Sequence, residues 1–368
     1  MFREAHLRLF RPAIVAMSIL AAVAAPGLSA AWGASRSVAE IANLSGPDRQ
    51  QILEAGARQE KEVMFYTSLI VDQVVRPLAD GFEKKYPFLK VVYLRNNSTQ
   101  LVQRILAEGK ARAVQADVVA ASVGSIMKKT GYIQAFQSPE LVQYPKEYLD
   151  PDGFLAPTRF AYQGIGYNTK AVKAEEAPQT YEDLLDPKWR GRMIWSQSTD
   201  TGAPFFISHI RKIMGEDKAL DYLKKLAGQK IAVSGSSIRA ILDQVIAGEH
   251  DIGISMALHH IAISKEKGAP VGGSIPAPVM ARGGEIVLLK GAPHPHAAML
   301  FLDYVLSKEG QAAFAEAQYY PARPDVPAIA SMQPYTPRLL NKAENIIADE
   351  ELEELRPRSV ELFQQLFR

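Results

Sequence analysis

Apolar residues along this chain fall into an aperiodic N-terminal run and, beyond it, short strand-like runs alternating with stretches of helical spacing. The first run, Pro12 to Ala25, follows three positive residues, Arg3, Arg8 and Arg11, and precedes Pro26-Gly27 and the small residues Ser29-Ala30-Ala31. About fourteen apolar residues are too few to span a bilayer but suit the core of a secretory signal. Residues 1–31 are therefore expected to be a signal peptide, cleaved after Ala30 or Ala31. The competing reading is an uncleaved N-terminal anchor. No later apolar run reaches about eighteen residues, so the mature chain is expected to be soluble.

Beyond the signal, Ser37 with Glu40 forms a capping-box pattern at the start of a helix. Glu62–Thr67 predicts a buried strand that ends in hydroxyl residues. Val74, Val75, Leu78, Phe82 and Tyr86 then share one helical face, up to the helix-stopping Pro87. Lys90–Leu94 predicts a second strand, followed by a polar turn over 95–99. A helix carrying Leu101, Ile105 and Leu106 leads to a third strand over 116–121. Strand–helix–strand order calls for parallel strands covered by helices. A crossing strand at Ala161–Asn168 opens a second set of elements: helices at 181–185, 219–226 and 238–247, and strands at 192–195, 230–233 and 251–254. The Gly/Pro-rich segment Gly272–Pro278 reads as the return crossing. A strand at 285–289, a helix at 297–306 and a charged helical segment from Asn341 to Arg368 close the chain. The expected fold class is α/β, with two Rossmann-like lobes joined by crossing strands that can hinge. One lobe takes 32–160 with 279–335. The other takes 161–278, with 336–368 as a C-terminal helical segment.

Composition narrows the function. The chain has 42 basic and 40 acidic residues. Removing the signal leaves 39 of each, without the basic stripe of a nucleic-acid binder. There is no cysteine, which rules out disulfides, Cys-ligated zinc and thiol catalysis. A cysteine-borne lipid anchor is ruled out with them, so a free periplasmic protein is expected.

The resemblance to a known family rests on segments in fixed order. They are Phe65-Tyr66-Thr67-Ser68, Leu78–Glu83, Gln115–Val119, Tyr167–Val172, Tyr181–Gly191, Ile246–Gly253 and Tyr319–Arg323. In that order the chain resembles the periplasmic solute-binding proteins of iron(III)-type ABC importers. Their wider family also carries hexose phosphates, phosphonates, polyamines and thiamine-like ligands. The resemblance implies a type II-like periplasmic binding fold, a monomer that delivers a small molecule or ion to a membrane permease.

In open α/β lobes ligands sit beyond the carboxyl ends of the strands. That rule selects Tyr66, Thr67 and Ser68 after the first strand, Ser98 after the second and Ser122 after the third. From the second lobe it selects Gln197, Ser198, Thr199 and Thr201, then Ser236 and Ser237 at a helix start. Hydroxyls and N–H groups there suit an anion, although plain helix capping uses the same residues. His259-His260 stand where the resemblance places the adjacent tyrosines of ferric members. Thr67-Ser68-Leu69 and Ser122 stand where those members carry a histidine and an acid. Fe(III) prefers anionic oxygen over imidazole. The histidines are left three roles: hydrogen-bonding an anion, ligating an already chelated metal, or packing. Tyr319 is expected to pack at the hinge and touch the ligand by an edge. His294-Pro295-His296 reads as a solvated turn opening a helix.

No cofactor is expected, and a metal enters only as transported ligand. Ser125-Ile126-Met127-Lys128 and Lys129-Thr130-Gly131 match two elements of penicillin-recognising serine enzymes, but those elements lie far apart in such enzymes and abut here. The sequence therefore predicts no enzyme. It predicts a binding component for a small anionic, carboxylated or phosphorylated metabolite. The alternatives are ferric iron or an iron chelate, and, in another class, a secreted enzyme or sensor domain on the same fold.

Overall fold

A computed structural model describes residues 36–368. The expected signal peptide and its cleavage site lie outside the described residues. Helix α1 (Val38–Ala42) begins with the expected capping box: Ser37 Oγ accepts from Glu40 N, and the Glu40 side chain reaches back to Ser37 N. Helix α2 (Arg49–Glu60) leads into β1 (Glu62–Thr67), α3 (Arg76–Lys85), β2 (Lys90–Arg95), α4 (Ser98–Lys110), β3 (Val118–Ala120), α5 (Gly124–Thr130) and the short β4 (Ile133–Gln134). The long β5 (Leu155–Asn168) follows, then β6 (Met193–Ser196), α6 (Ala203–Met214), α7 (Glu216–Ala227), β7 (Ala232–Ser234), α8 (Ile238–Ala247), β8 (Ile252–Ala257), α9 (Leu258–Glu266) and β9 (Val271–Ser274). The chain ends with β10 (Val279–Leu289), α10 (Pro295–Leu306), α11 (Lys308–Glu316), β11 (Tyr320–Pro321), β12 (Glu344–Ile346) and α12 (Asp349–Phe367).

The main strands lie in the order β2-β1-β3-β10-β5-β8-β6-β7. Within β2-β1-β3 and within β8-β6-β7 neighbours are parallel, as the strand–helix alternation requires. The two strands between them, β10 and β5, run antiparallel to each other and to their outer neighbours. Each serves both lobes. β5 pairs through Leu155–Gln163 with β10 and through Gln163–Asn168 with β8 and β9. β10 meets β12 at its start and β3 and β4 at its end.

Each lobe has an aromatic core. Phe65 of β1 and Phe82 of α3 both pack on Phe301 of α10, with ring centroids 5.0 and 5.1 Å apart. In the second lobe Trp195 of β6 is enclosed by Phe206 of α6 and by Phe363 and Phe367 of α12.

Four expectations change. The return crossing is β10 itself, which starts at Val279, rather than Gly272–Pro278. The polar turn over 95–99 is shorter, because Asn97 caps α4 and draws Ser98 and Thr99 into its first turn. Helix α6 was not expected. The C-terminal segment opens with strand β12 rather than helix. Among the described residues no helix is long and apolar enough to cross a membrane.

Candidate functional site

β5 lies inside the sheet, with neighbours on both sides, yet Ala161 in its middle is exposed. An exposed alanine at the centre of a sheet means that nothing covers that face there. Side chains alternate along a strand, so Arg159, Ala161 and Gln163 share the open face, and Phe160 and Tyr162 point the other way. Their register partners on β10, Gly284 beside Arg159 and Arg282 beside Ala161, complete the floor of a cleft where the chain crosses between lobes.

Arg159 dominates this floor. Its guanidinium lies against Gly284, where a Cβ would come within 2.3 Å of Nη1 and 2.6 Å of Cζ. Its Cζ sits 5.2 Å from the Tyr319 ring centroid, within cation–π range. Nη1 donates to Thr158 Oγ1 at 3.3 Å. No ion pair joins Arg159 to any other described residue. By area the residue is half-buried, but the guanidinium end is set deep among protein atoms, and that desolvation lowers its pKa. Its nearby acid is Glu285, whose carboxyl is pushed up to about 7 by burial and then by the Asp349 charge, against the N–H groups of Gly124 and Val123. Gly124 N donates to Glu285 Oε1 at 2.6 Å. Near neutral pH this carboxyl is partly protonated and only partly offsets Arg159. Arg282 is already held, by Asp349 at 2.5 Å and the Asp200 carbonyl at 3.3 Å.

His259 and His260 occupy the first turn of α9, their rings 4.2 Å apart, with His259 6.4 Å from the Tyr319 ring. Burial lowers the His259 pKa to about 3, helped by His260 and Arg159. Burial and the Arg239 charge take His260 to about 4. Both are neutral at pH 7, and His260 Nδ1 is buried without a hydrogen-bond partner. Beside them Ser255 forms a bulge against Gly164/Ile165 in the left-handed region, φ +64°. There its Oγ lies 2.6 Å from Gln163 Oε1 and 3.1 Å from the Thr201 carbonyl, tying β8 and the β6–α6 loop to the cleft floor.

The residues selected from the sequence divide into groups. His259, His260 and Tyr319 gather beside Arg159. Thr201 is tied to Ser255 through its carbonyl, and its Oγ1 donates to Ser198 Oγ at 3.3 Å. Gln197 and Thr199 are exposed in the same loop, with Gln197 N donating to the Ser234 carbonyl at 2.9 Å. Ser236 is fixed through its carbonyl by Ser196 Oγ at 2.7 Å, and Ser237 caps α8. Ser122 is exposed after β3, and Ser68 donates its N–H to the Ala120 carbonyl. Ser98 lies half-exposed at the start of α4. Two side chains are engaged elsewhere. Tyr66 faces α4, donating to Glu108 Oε1 at 2.8 Å and accepting from Arg104 Nε at 2.9 Å. Thr67 is fully buried, donating to the Ala120 carbonyl and accepting from Leu69 N. Arg239, the second residue of α8, pairs with Asp243 and donates to Ser264 Oγ.

His294-Pro295-His296 is a correction. It opens α10 as expected, but it is no solvated turn: His294 bonds the buried Asp117, and His296 bonds Glu60. The serine-enzyme pattern dissolves too. Ser125 Oγ donates to Glu353, and Lys128 pairs with Asp150 and Asp152.

Sequence reasoning missed Arg159, Arg282, Gln163 and Ser255. The available signal was a lone arginine within the otherwise nearly uncharged run Leu155–Asn168.

A family model for bacterial extracellular solute-binding proteins matches residues 116–349. The chain is 26% identical over 255 residues to iron uptake protein A1 of Synechocystis, covering 65% of this chain and 70% of that protein. Among solved structures it resembles Trichodesmium FutA in complex with iron and citrate, with TM-score 0.71, 24% identity and coverage of 83% and 99%. It also resembles the periplasmic binding protein AfuA of Actinobacillus pleuropneumoniae with fructose-6-phosphate bound, with TM-score 0.62, 26% identity and coverage of 83% and 98%.

Proposed function

The chain belongs to the bacterial extracellular solute-binding protein family, and from that premise we propose that it is the substrate-binding component of an ABC importer whose cleft captures a small organic oxyanion on Arg159. Residues 1–31 direct export to the periplasm. The lobes divide as 32–160 with 279–335 and 161–278 with 336–368, and the chain acts as a monomer that hands its ligand to a permease. The observation that carries the ligand class is the guanidinium of Arg159, deep in an open cleft and ion-paired to none of the described residues. A buried cation is costly unless paired, so its natural complement arrives from outside. A guanidinium presents a flat fork of donors that matches a carboxylate or a phosphate. Two neutral imidazoles and the Tyr319 hydroxyl add polar contacts without opposing charge. Glu285, raised toward neutrality, competes weakly with an anion. For bare ferric iron the donor chemistry is poor: His259 and His260 stand where the resemblance places the paired tyrosines, and imidazole suits softer metals.

Native mass spectrometry of the protein taken from its own periplasm, with metal analysis alongside, tests this reading. The expected result is one bound organic anion per chain, lost on denaturation. Stoichiometric iron with tyrosinate absorption would overturn it.

The pH dependence has a definite sign. In the empty cleft the histidines titrate at about 3 and 4. A bound anion stabilises the imidazolium and raises those values, so the complex holds more protons than the empty protein. Affinity therefore strengthens as pH falls from 7.5 toward 5.5, and weakens as pH rises through the bound-state pKa. Calorimetry in buffers of different ionisation enthalpy is expected to show net proton uptake on binding. The uptake should fall when both His259 and His260 are replaced by Asn, leaving only the share taken by Glu285. Affinity that instead collapses on acidification, with proton release on binding, would assign the imidazoles to a metal.

A further inference from the structure

We propose that the back of the hinge carries a second oxyanion site, built on Arg338 and Lys342 and separate from the cleft. The reverse face of β5 carries Tyr162, whose hydroxyl donates to Glu344 Oε1 at 3.0 Å, while the Tyr148 hydroxyl donates to Glu344 Oε2 at 2.9 Å. Beside this carboxylate opens a cavity of about 530 Å³, whose walls include Glu147, Lys212, Arg338 and Lys342. Arg338 spends Nη2 on the Pro321 carbonyl at 2.9 Å, but its Nη1 is buried with no hydrogen-bond partner. Lys342 donates once, to the Ile275 carbonyl at 2.6 Å, and has two further N–H donors. Neither cation is ion-paired among the described residues. Lys212, by contrast, is held by Glu351 at 2.6 Å.

Glu344 does not satisfy Arg338. Each of its oxygens accepts from a tyrosine hydroxyl and neither is in hydrogen-bond or ion-pair contact with Arg338, while burial raises its pKa against the pull of those bonds and of the Arg338 charge. A buried guanidinium nitrogen without an acceptor is a site of unmet demand, because desolvated donors in native proteins are nearly all paired. A carboxylate or phosphate in the cavity, one oxygen on Lys342 Nζ and a second toward Arg338, meets that demand with charge-assisted bonds once the guanidinium turns Nη1 to the cavity.

The location gives such a site leverage. Glu147 and Tyr148 come from the first lobe and Lys212 from α6 of the second, while Glu344 belongs to β12, which pairs with β10 behind the hinge. Rotation about β5 and β10 moves these walls relative to one another, so an occupant favours one degree of lobe closure.

The experiment titrates the full mature chain with inorganic phosphate by calorimetry, in the wild type and in Arg159→Gln, Arg338→Gln and Lys342→Gln. Circular dichroism and melting temperature confirm that each variant is folded. Arg159→Gln is expected to retain one phosphate site. Adding either Arg338→Gln or Lys342→Gln to it should weaken that site at least tenfold. The proposal is overturned if Arg159→Gln alone removes all phosphate binding. It is equally overturned if the remaining binding ignores both Arg338→Gln and Lys342→Gln, or if no variant and no wild type binds phosphate. If Arg159→Gln changes nothing while the other two variants abolish binding, the hinge site stands and the cleft reading fails.

Discussion

Arg159→Gln is expected to weaken binding of the native ligand by about 10²-fold or more while leaving the melting temperature unchanged or slightly higher. Removing one partner of a buried, hydrogen-bonded charge pair costs a complex about 2–5 kcal/mol, and about 2.7 kcal/mol is a hundredfold in affinity. Without ligand the guanidinium donates to Thr158 Oγ1 and forms no ion pair among the described residues. Its loss therefore removes little that holds the fold and relieves a desolvated charge. Arg159→Lys should fail almost as badly, because an ammonium is a point donor and cannot reproduce the fork. Gly284→Ala tests the same idea without touching the charge. The new methyl group would sit 2.3 Å from Arg159 Nη1, so the guanidinium must swing away from its bed. The clash reaches back to Arg159 Cγ at 2.9 Å, so the whole side chain must change rotamer: affinity should fall, with a smaller loss of stability beside it. Calorimetry against the anion identified by native mass spectrometry measures both variants. Arg159→Gln with undiminished affinity would remove the anion anchor from the site.

The parts of the fold that could be read from the sequence are those with a clear period. β1 was placed residue for residue at Glu62–Thr67, and α8 at Ile238–Ala247, because a strand-like apolar run and a 3.6-residue stripe are distinct there. Helix α6 was missed for the opposite reason. Its opening run Ala203–Ile207 reads as strand as readily as helix, and its polar residues Ser208, His209 and Arg211 are buried with it. The first half of β10 was hidden by Ala281-Arg282-Gly283-Gly284, which reads as a loop until β5 supplies its partners. The site was half legible. The rule that ligands gather beyond strand ends pointed to the loops around the cleft, and the family resemblance pointed to the histidines. Many hydroxyls in those loops are engaged in local bonds, as with Thr67 and Ser237. The charge comes from inside a crossing strand, where no motif marks it. Arg159 becomes conspicuous only once β5 is known to be central and Ala161 beside it exposed.

Asp117→Ala is expected to destabilise the protein by about 3–5 kcal/mol, the largest loss of stability among the changes considered. Asp117 is completely buried just before β3. Its carboxylate accepts from Met64 N at 2.7 Å, from His294 N at 2.6 Å and from His294 Nδ1 at 2.9 Å, joining β1 to the start of α10. Alanine leaves those donors without an acceptor in the interior, and each unmet donor costs about 1–3 kcal/mol. Asp117→Asn keeps the volume and should cost less, while removing the charge that acts on His294. That charge also fixes a pH signature. The hydrogen bond to Asp117 raises the His294 pKa first, with the Asp117, Glu62 and Glu60 charges adding to it. A histidine whose folded pKa lies above its unfolded value of about 6.5 contributes stability that is complete below that value. The contribution disappears as pH rises through the folded pKa. The buried, neutral His259 and His260 contribute with the opposite sign over the same range, so the expectation is a difference: from pH 6 toward 9 the wild-type melting temperature should fall relative to that of Asp117→Asn. Scanning calorimetry across that range measures the two slopes. Equal slopes would detach His294 from Asp117, whereas a flattened slope identifies the pair as the electrostatic tie that seats α10 against the first lobe's sheet.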